Sequence, residues 1–181
     1  MGAGLIVAAL VAAAIYSDSV RGRNVWSMGE ISMEQRPWSV AEKDLPAPVQ
    51  QAIEEFRVKG GRYKFGPNDC STFVSDFLRA SGAKVPERLT TADLADPNRR
   101  YLVGLGLARG PRLTGDIFVV RYESGTEEQG HCGILVRTEK GDVYVHNSAT
   151  MGGVAVQKEE DFAELMRRKG VYLGDLTWLR H

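Results

Sequence analysis

Apolar residues after Leu45 first recur at helical spacing. Val49, Ala52, Ile53 and Phe56 predict a short amphipathic helix over residues 48–58, ended by Gly60-Gly61. A loop from Arg62 to Pro67 leads into a second helix. Its apolar face is Phe73, Val74, Phe77 and Leu78, continued by Ser81, with Asn68 or Asp69 as N-cap and Gly82 as the stop. Residues 91–96 predict another short helix, broken at Asp96-Pro97-Asn98. From Gly115 the period changes. Ile117 to Val120, Gly133 to Val136 and Val143 to Asn147 read as strands, with a hairpin signal at Thr138-Glu139-Lys140-Gly141-Asp142. Gly152-Gly153 precedes a fourth strand, Val154 to Gln157. Residues 158–168 predict a surface helix on Phe162, Leu165 and Met166, and Val171 to Leu179 a last strand. Helices first and a mostly antiparallel sheet afterwards define an α+β domain, assigned to residues 46–181.

The start of the chain follows other rules. Residues 3–16 are uncharged and mostly apolar, shorter than the roughly 20 residues of a membrane span and suited to a signal-peptide core. Ala12 and Ala14 offer a cleavage site, but Arg21 and Arg23 follow the run instead of preceding it. A signal peptide or membrane anchor over residues 1–16, a buried or interfacial helix, and a start codon assigned too late all fit. Residues 17–45 are polar, with Trp26, Pro37 and Trp38 scattered among them, and read as a linker or an extended arm. The first reading places the domain in the cell envelope, exported or tethered to a membrane through residues 3–16. Otherwise the domain is cytoplasmic.

Composition narrows the partners. Lys plus Arg and Asp plus Glu number 23 each, giving a formal net charge of zero with no block of one sign. That argues against a nucleic-acid partner, which calls for a basic excess or stripe. Oligomeric state is not legible. Two cysteines permit one disulfide but no disulfide-rich scaffold.

The chemistry centres on Asn68-Asp69-Cys70-Ser71-Thr72-Phe73-Val74. A thiol in the first turn of a helix meets unpaired amide hydrogens and the positive end of the dipole, which favour the thiolate. The same amides can donate to an oxyanion. Two histidines stand in strands, His131 in Gly130-His131-Cys132-Gly133-Ile134 and His146 in Val145-His146-Asn147. An even-numbered hairpin loop, residues 138–141 or 139–140, pairs His146 with Gly133 and places His131 diagonally on the same face. An odd loop separates them unless a bulge intervenes. A zinc site is disfavoured, because neighbours His131 and Cys132 point to opposite faces and no Cys-x-x-Cys is present. Cys132 fits the layer under the helices with Ile134 and Val136. A Cys70–Cys132 disulfide remains open and would remove the nucleophile.

These residues resemble the NlpC-type cell-wall peptidases, which are papain-like. Tyr63-Lys64-Phe65-Gly66-Pro67-Asn68-Asp69-Cys70-Ser71-Thr72-Phe73-Val74 is similar to their nucleophile motif, Tyr-x-x-Gly, a short loop, then Asp-Cys-Ser-Gly-Phe-Val. Gly115-Asp116-Ile117 resembles their Gly-Asp-hydrophobic strand start. Gly130 to Ile134 resembles the strand of the catalytic histidine, and Val145 to Ala149 that of the orienting residue. The resemblance covers roughly residues 47–180. Thr72 stands where the family has glycine, Pro67 replaces a second glycine, and residues 83–112 match nothing diagnostic.

The resemblance implies a papain-like fold and a cysteine hydrolase acting on amide bonds of peptidoglycan stem peptides. Cys70 would be the nucleophile, His131 the base and His146 its orienting partner. Tyr63 would border the oxyanion region or the cysteine, while Asp69 and Ser71 would help hold a substrate amine. It implies no metal and no organic cofactor. Two other readings stand beside it: a papain-like amidase or acyl hydrolase with a non-murein substrate, and a non-catalytic exported binding domain with a Cys70–Cys132 bridge.

Overall fold

The computed structural model describes residues 38–85, 88–122 and 130–181. The expectations for residues 1–16 and for most of 17–45 lie outside the described residues. None of the helices described is long and apolar enough to cross a membrane.

The domain is α+β. Helices α1 (Ala47–Val58) and α2 (Cys70–Ala80) precede two short ones, α3 (Thr91–Ala95) and α4 (Pro97–Tyr101). Six strands follow: β1 (Gly106–Leu107), β2 (Ile117–Arg121), β3 (Gly130–Thr138), β4 (Gly141–Ser148), β5 (Gly153–Lys158) and β6 (Thr177–Arg180). Helix α5 (Glu159–Arg167) stands between β5 and β6. The strands form one sheet in the order β1-β6-β2-β3-β4-β5, and every neighbouring pair is antiparallel.

Strand alternation divides the core between the two faces of this sheet. One cluster joins Ile53 and Phe56 of α1 and Phe73, Val74 and Leu78 of α2 to Ile117, Val119, Cys132, Ile134, Val136, Val143 and Val145. The opposite face carries Phe118, Leu135 and Tyr144 against Phe162 and Met166 of α5. Burying such side chains stabilises by about 1.5–3 kcal/mol each before conformational entropy is counted. Cys132 thus packs beneath the helices with Ile134 and Val136, as its strand parity requires.

Several boundaries differ from the sequence pattern. Asp96 ends α3, but its side chain also accepts from the Asn98 amide and caps α4, which Pro97 opens. The proline therefore starts a helix as well as breaking one. The last strand is confined to Thr177–Arg180, because residues 173–175 coil into a 3-10 turn in which the Tyr172 amide donates to Asp175. The two-residue β1, which no periodicity marked, pairs with β6 at the sheet edge.

Two features brace the sheet around the site. Asp116, of the Gly-Asp pair, accepts two bonds from Arg180 at 2.6 and 2.7 Å and one from the Leu113 amide at 2.8 Å. It is a structural clamp between β2 and β6. Residues 38–45 lie against the domain, where Ser39 pairs its amide and hydroxyl with the Val156 carbonyl on edge strand β5.

Candidate active site

Cys70 is the first residue of α2, and Asp69 is its N-cap. The Asp69 carboxylate organises the whole approach. Its Oδ1 accepts from the Thr72 amide at 2.9 Å, the Ser71 hydroxyl at 2.8 Å and the Thr72 hydroxyl at 3.2 Å. Its Oδ2 accepts from the Gly66 amide at 2.9 Å and from Arg88 at 2.8 Å. Gly66 has φ +92, a conformation that suits glycine, and turns the loop tightly between Lys64 and Asn68, whose backbones pair with each other. The single Thr72 hydroxyl proton is shared between Asp69 and the Gly66 carbonyl, which lies nearer at 2.9 Å. Thr72 thus locks this short loop onto the helix, a bond that glycine could not make.

The cap leaves donors over. Asp69 takes the Thr72 amide, and among the described residues nothing accepts from the amides of Cys70 and Ser71. These two N–H groups lie in the first turn, where the helix favours negative charge.

The histidines come together through the hairpin. β3 pairs with β4 in the register Ile134↔Val145 to Thr138↔Gly141, so the loop is residues 139–140. This even loop sets His146 against Gly133 with His131 on the same face. A side chain at Gly133 would begin only 2.7 Å from His146 Cβ and from the Phe118 ring. Glycine there makes room for the histidine. His131 Nε2 lies 2.8 Å from His146 Nδ1, and His146 Nε2 lies 2.8 Å from Gln157 Oε1.

Tautomers follow from this chain of contacts. Gln157 Oε1 is an acceptor, so His146 carries its proton on Nε2 and accepts at Nδ1. His131 then donates from Nε2 and keeps Nδ1 for exchange with another group. His146 has no solvent exposure and sits among Phe118, Phe162 and Tyr144. Burial, followed by the charge of His131, lowers its pKa to about 3. It is a neutral acceptor throughout the physiological range.

The Cys70 thiol, in a residue only 6% exposed, lies over the start of β3. It is held well below the ordinary thiol range. Hydrogen bonding with Cys132 contributes most, burial opposes it, and hydrogen bonding and charge from His131 lower it further. Cys132 moves the opposite way, pushed well above the ordinary range by complete burial and then by Cys70. Both cysteines are free thiols. The Thr91 hydroxyl, at the start of α3, lies 3.9 Å from the sulfur.

A cleft of roughly 170 Å³ opens beside Cys70 between the Tyr63–Phe65 loop, residues 88–92, and the ends of β2 and β3. Tyr63, Asp69 and Ser71 all border it, together with Arg88, Thr91 and Arg121. His131 and His146, on β3 and β4, are not among the residues that border it. Sequence reasoning missed Gln157, Thr91, Arg88 and Arg121. Gln157 pairs with Tyr144 and lies diagonally from His146 on the same face, a relation visible only once β5 is in register. Arg88 is positioned through its neighbour Leu89, whose amide donates to Ser75 on α2 at 3.0 Å.

Among the described residues, no group of three or more His, Cys, Asp or Glu side chains could hold a metal ion. Asn147 ties β4 to the nucleophile loop, donating to the Asn68 carbonyl at 2.8 Å. Comparisons with family models, curated proteins and solved structures find no match to this chain.

Proposed function

We propose that this domain is a papain-like cysteine hydrolase of the NlpC type that cleaves amide bonds in peptidoglycan stem peptides. The observation that carries the reading is the ordered series Cys70, His131, His146, Gln157. A thiol at a helix start is lowered in part by the charge of a histidine whose Nε2 is 2.8 Å from a second, neutral histidine. The motif order described above supports the substrate class, and an exported or membrane-tethered location would fit it.

In this mechanism His131 takes the Cys70 proton at Nδ1, producing a thiolate and an imidazolium. The thiolate attacks the amide carbonyl carbon, and the carbonyl electrons move onto oxygen. The free amides of Cys70 and Ser71 donate to that oxyanion, with Tyr63 at its border. Collapse of the tetrahedral intermediate breaks the C–N bond, and His131 passes its proton to the leaving amine. Water, deprotonated by His131, then hydrolyses the thioester and releases the acid. His146 holds the ring orientation and accepts from Nε2 throughout, the role of the third group in a triad. No metal or organic cofactor enters these steps.

A second reading keeps the chemistry and changes the substrate to a non-murein amide or acyl ester. It is favoured by the cleft wall of Thr90, Thr91 and Ala92, which comes from the segment that matches nothing in the family pattern. Incubating the purified protein with sacculi, lipid esters and small amides separates the two. Release of shortened muropeptides supports the first reading, and turnover confined to the other substrates supports the second.

A further inference from the structure

Among the described residues, the charged groups bordering the cleft are Asp69, Arg88 and Arg121, besides the cysteine itself. Asp69 is already satisfied. Three donors reach one oxygen and two the other, and Arg88 supplies its counter-charge. A substrate ammonium would therefore have to displace an existing donor and compete with a guanidinium. Arg121 is different. It is the exposed last residue of β2, paired through its backbone with Gly130, the residue before His131. Its guanidinium makes no ion pair or hydrogen bond with any described residue. Among the described residues on the cleft border, two guanidiniums thus face one carboxylate, and Arg121 shares that border with Cys70. The other described side chains on its border, including Tyr63, Phe65, Thr90 and Thr91, are neutral.

We propose that Arg121, with Arg88 behind it, makes this cleft select substrates that carry a carboxylate next to the scissile amide. This specificity rests on the cysteine-hydrolase reading of the site. Arg121 acts here by binding and placing the substrate. A guanidinium suits the task because its planar fork matches a carboxylate with two parallel bonds. Residual selectivity belongs to Arg88, which remains tied to Asp69.

The test compares alkylation of Cys70 by iodoacetate, an anion, and iodoacetamide, its neutral analogue. Each rate is read on the Cys70 peptide by mass spectrometry at pH 8, where an ordinary thiol also reacts. The rate ratio is insensitive to changes in thiol reactivity that affect both reagents alike. In low salt, Arg121→Gln is expected to lower the iodoacetate-to-iodoacetamide ratio by about 3- to 10-fold, and Arg121→Lys to keep most of it. The wild-type preference should also shrink as salt rises. An unchanged ratio in Arg121→Gln overturns the inference even if Cys70 proves strongly nucleophilic. The iodoacetamide rate at pH 6 bears separately on the hydrolase reading. An ordinary, slow thiol there counts against catalysis while leaving the ratio at pH 8 to decide the selectivity.

Discussion

His131 Nε2 and His146 Nδ1 face each other across 2.8 Å between adjacent strands. The contact gives the second histidine a specific duty, which is to accept a proton-bearing nitrogen without taking the proton. His146→Ala should therefore lower kcat by about 10²- to 10⁴-fold, with a smaller effect on KM. His146→Asn, which supplies a carbonyl acceptor, should recover part of the loss. Steady-state kinetics on a cleaved substrate checks both, and equal loss in the two variants would show that His146 only fills space.

Burial of neutral His146 also makes stability depend on pH. Its pKa falls from 6.5 to about 3 on folding, so the unfolded chain binds this proton first as pH drops. The contribution is complete above pH 6.5 and is lost progressively toward pH 3. Urea midpoints between pH 7 and pH 4 should fall more steeply for wild type than for His146→Gln, which cannot titrate. Parallel slopes would contradict the assignment.

Cys132 is placed to act on the nucleophile from within the core. Its own thiol is pushed up by burial and stays protonated, while hydrogen bonding between the two sulfurs lowers Cys70. The pH profile of Cys70 alkylation should have its inflection below that of an ordinary thiol, about 8.5. Cys132→Val should move the inflection upward, and Cys132→Ser, which retains a donor, should move it less. A profile insensitive to both substitutions would remove Cys132 from the site.

Much of the arrangement was legible because it depends on local rules. Asp69 caps α2 through short-range bonds, and the apolar periods of α1, α2 and the strands match the faces they bury. The hairpin from β3 to β4 had two permitted parities, and the two-residue loop settles which one occurs. What escaped depends on contacts distant in sequence. Gln157 reaches His146 only after β5 joins the sheet, and Arg88 and Arg121 come to one cleft border from distant parts of the chain. Thr72 stands where the resembled family has glycine. Its hydroxyl closes the loop onto Gly66, a role invisible without coordinates. The final strand was overextended because the apolar residues Val171, Leu173 and Leu176 suggest a strand, yet they pack beside α5 through a turn.

The central claim is that Cys70 attacks amide bonds in the peptides of the cell wall. Mass spectrometry of sacculus digests by wild type and Cys70→Ala tests it most directly. The account predicts shortened stem peptides with wild type and none above the buffer control with Cys70→Ala. Equal release by the two proteins, or none by either folded protein, would contradict it.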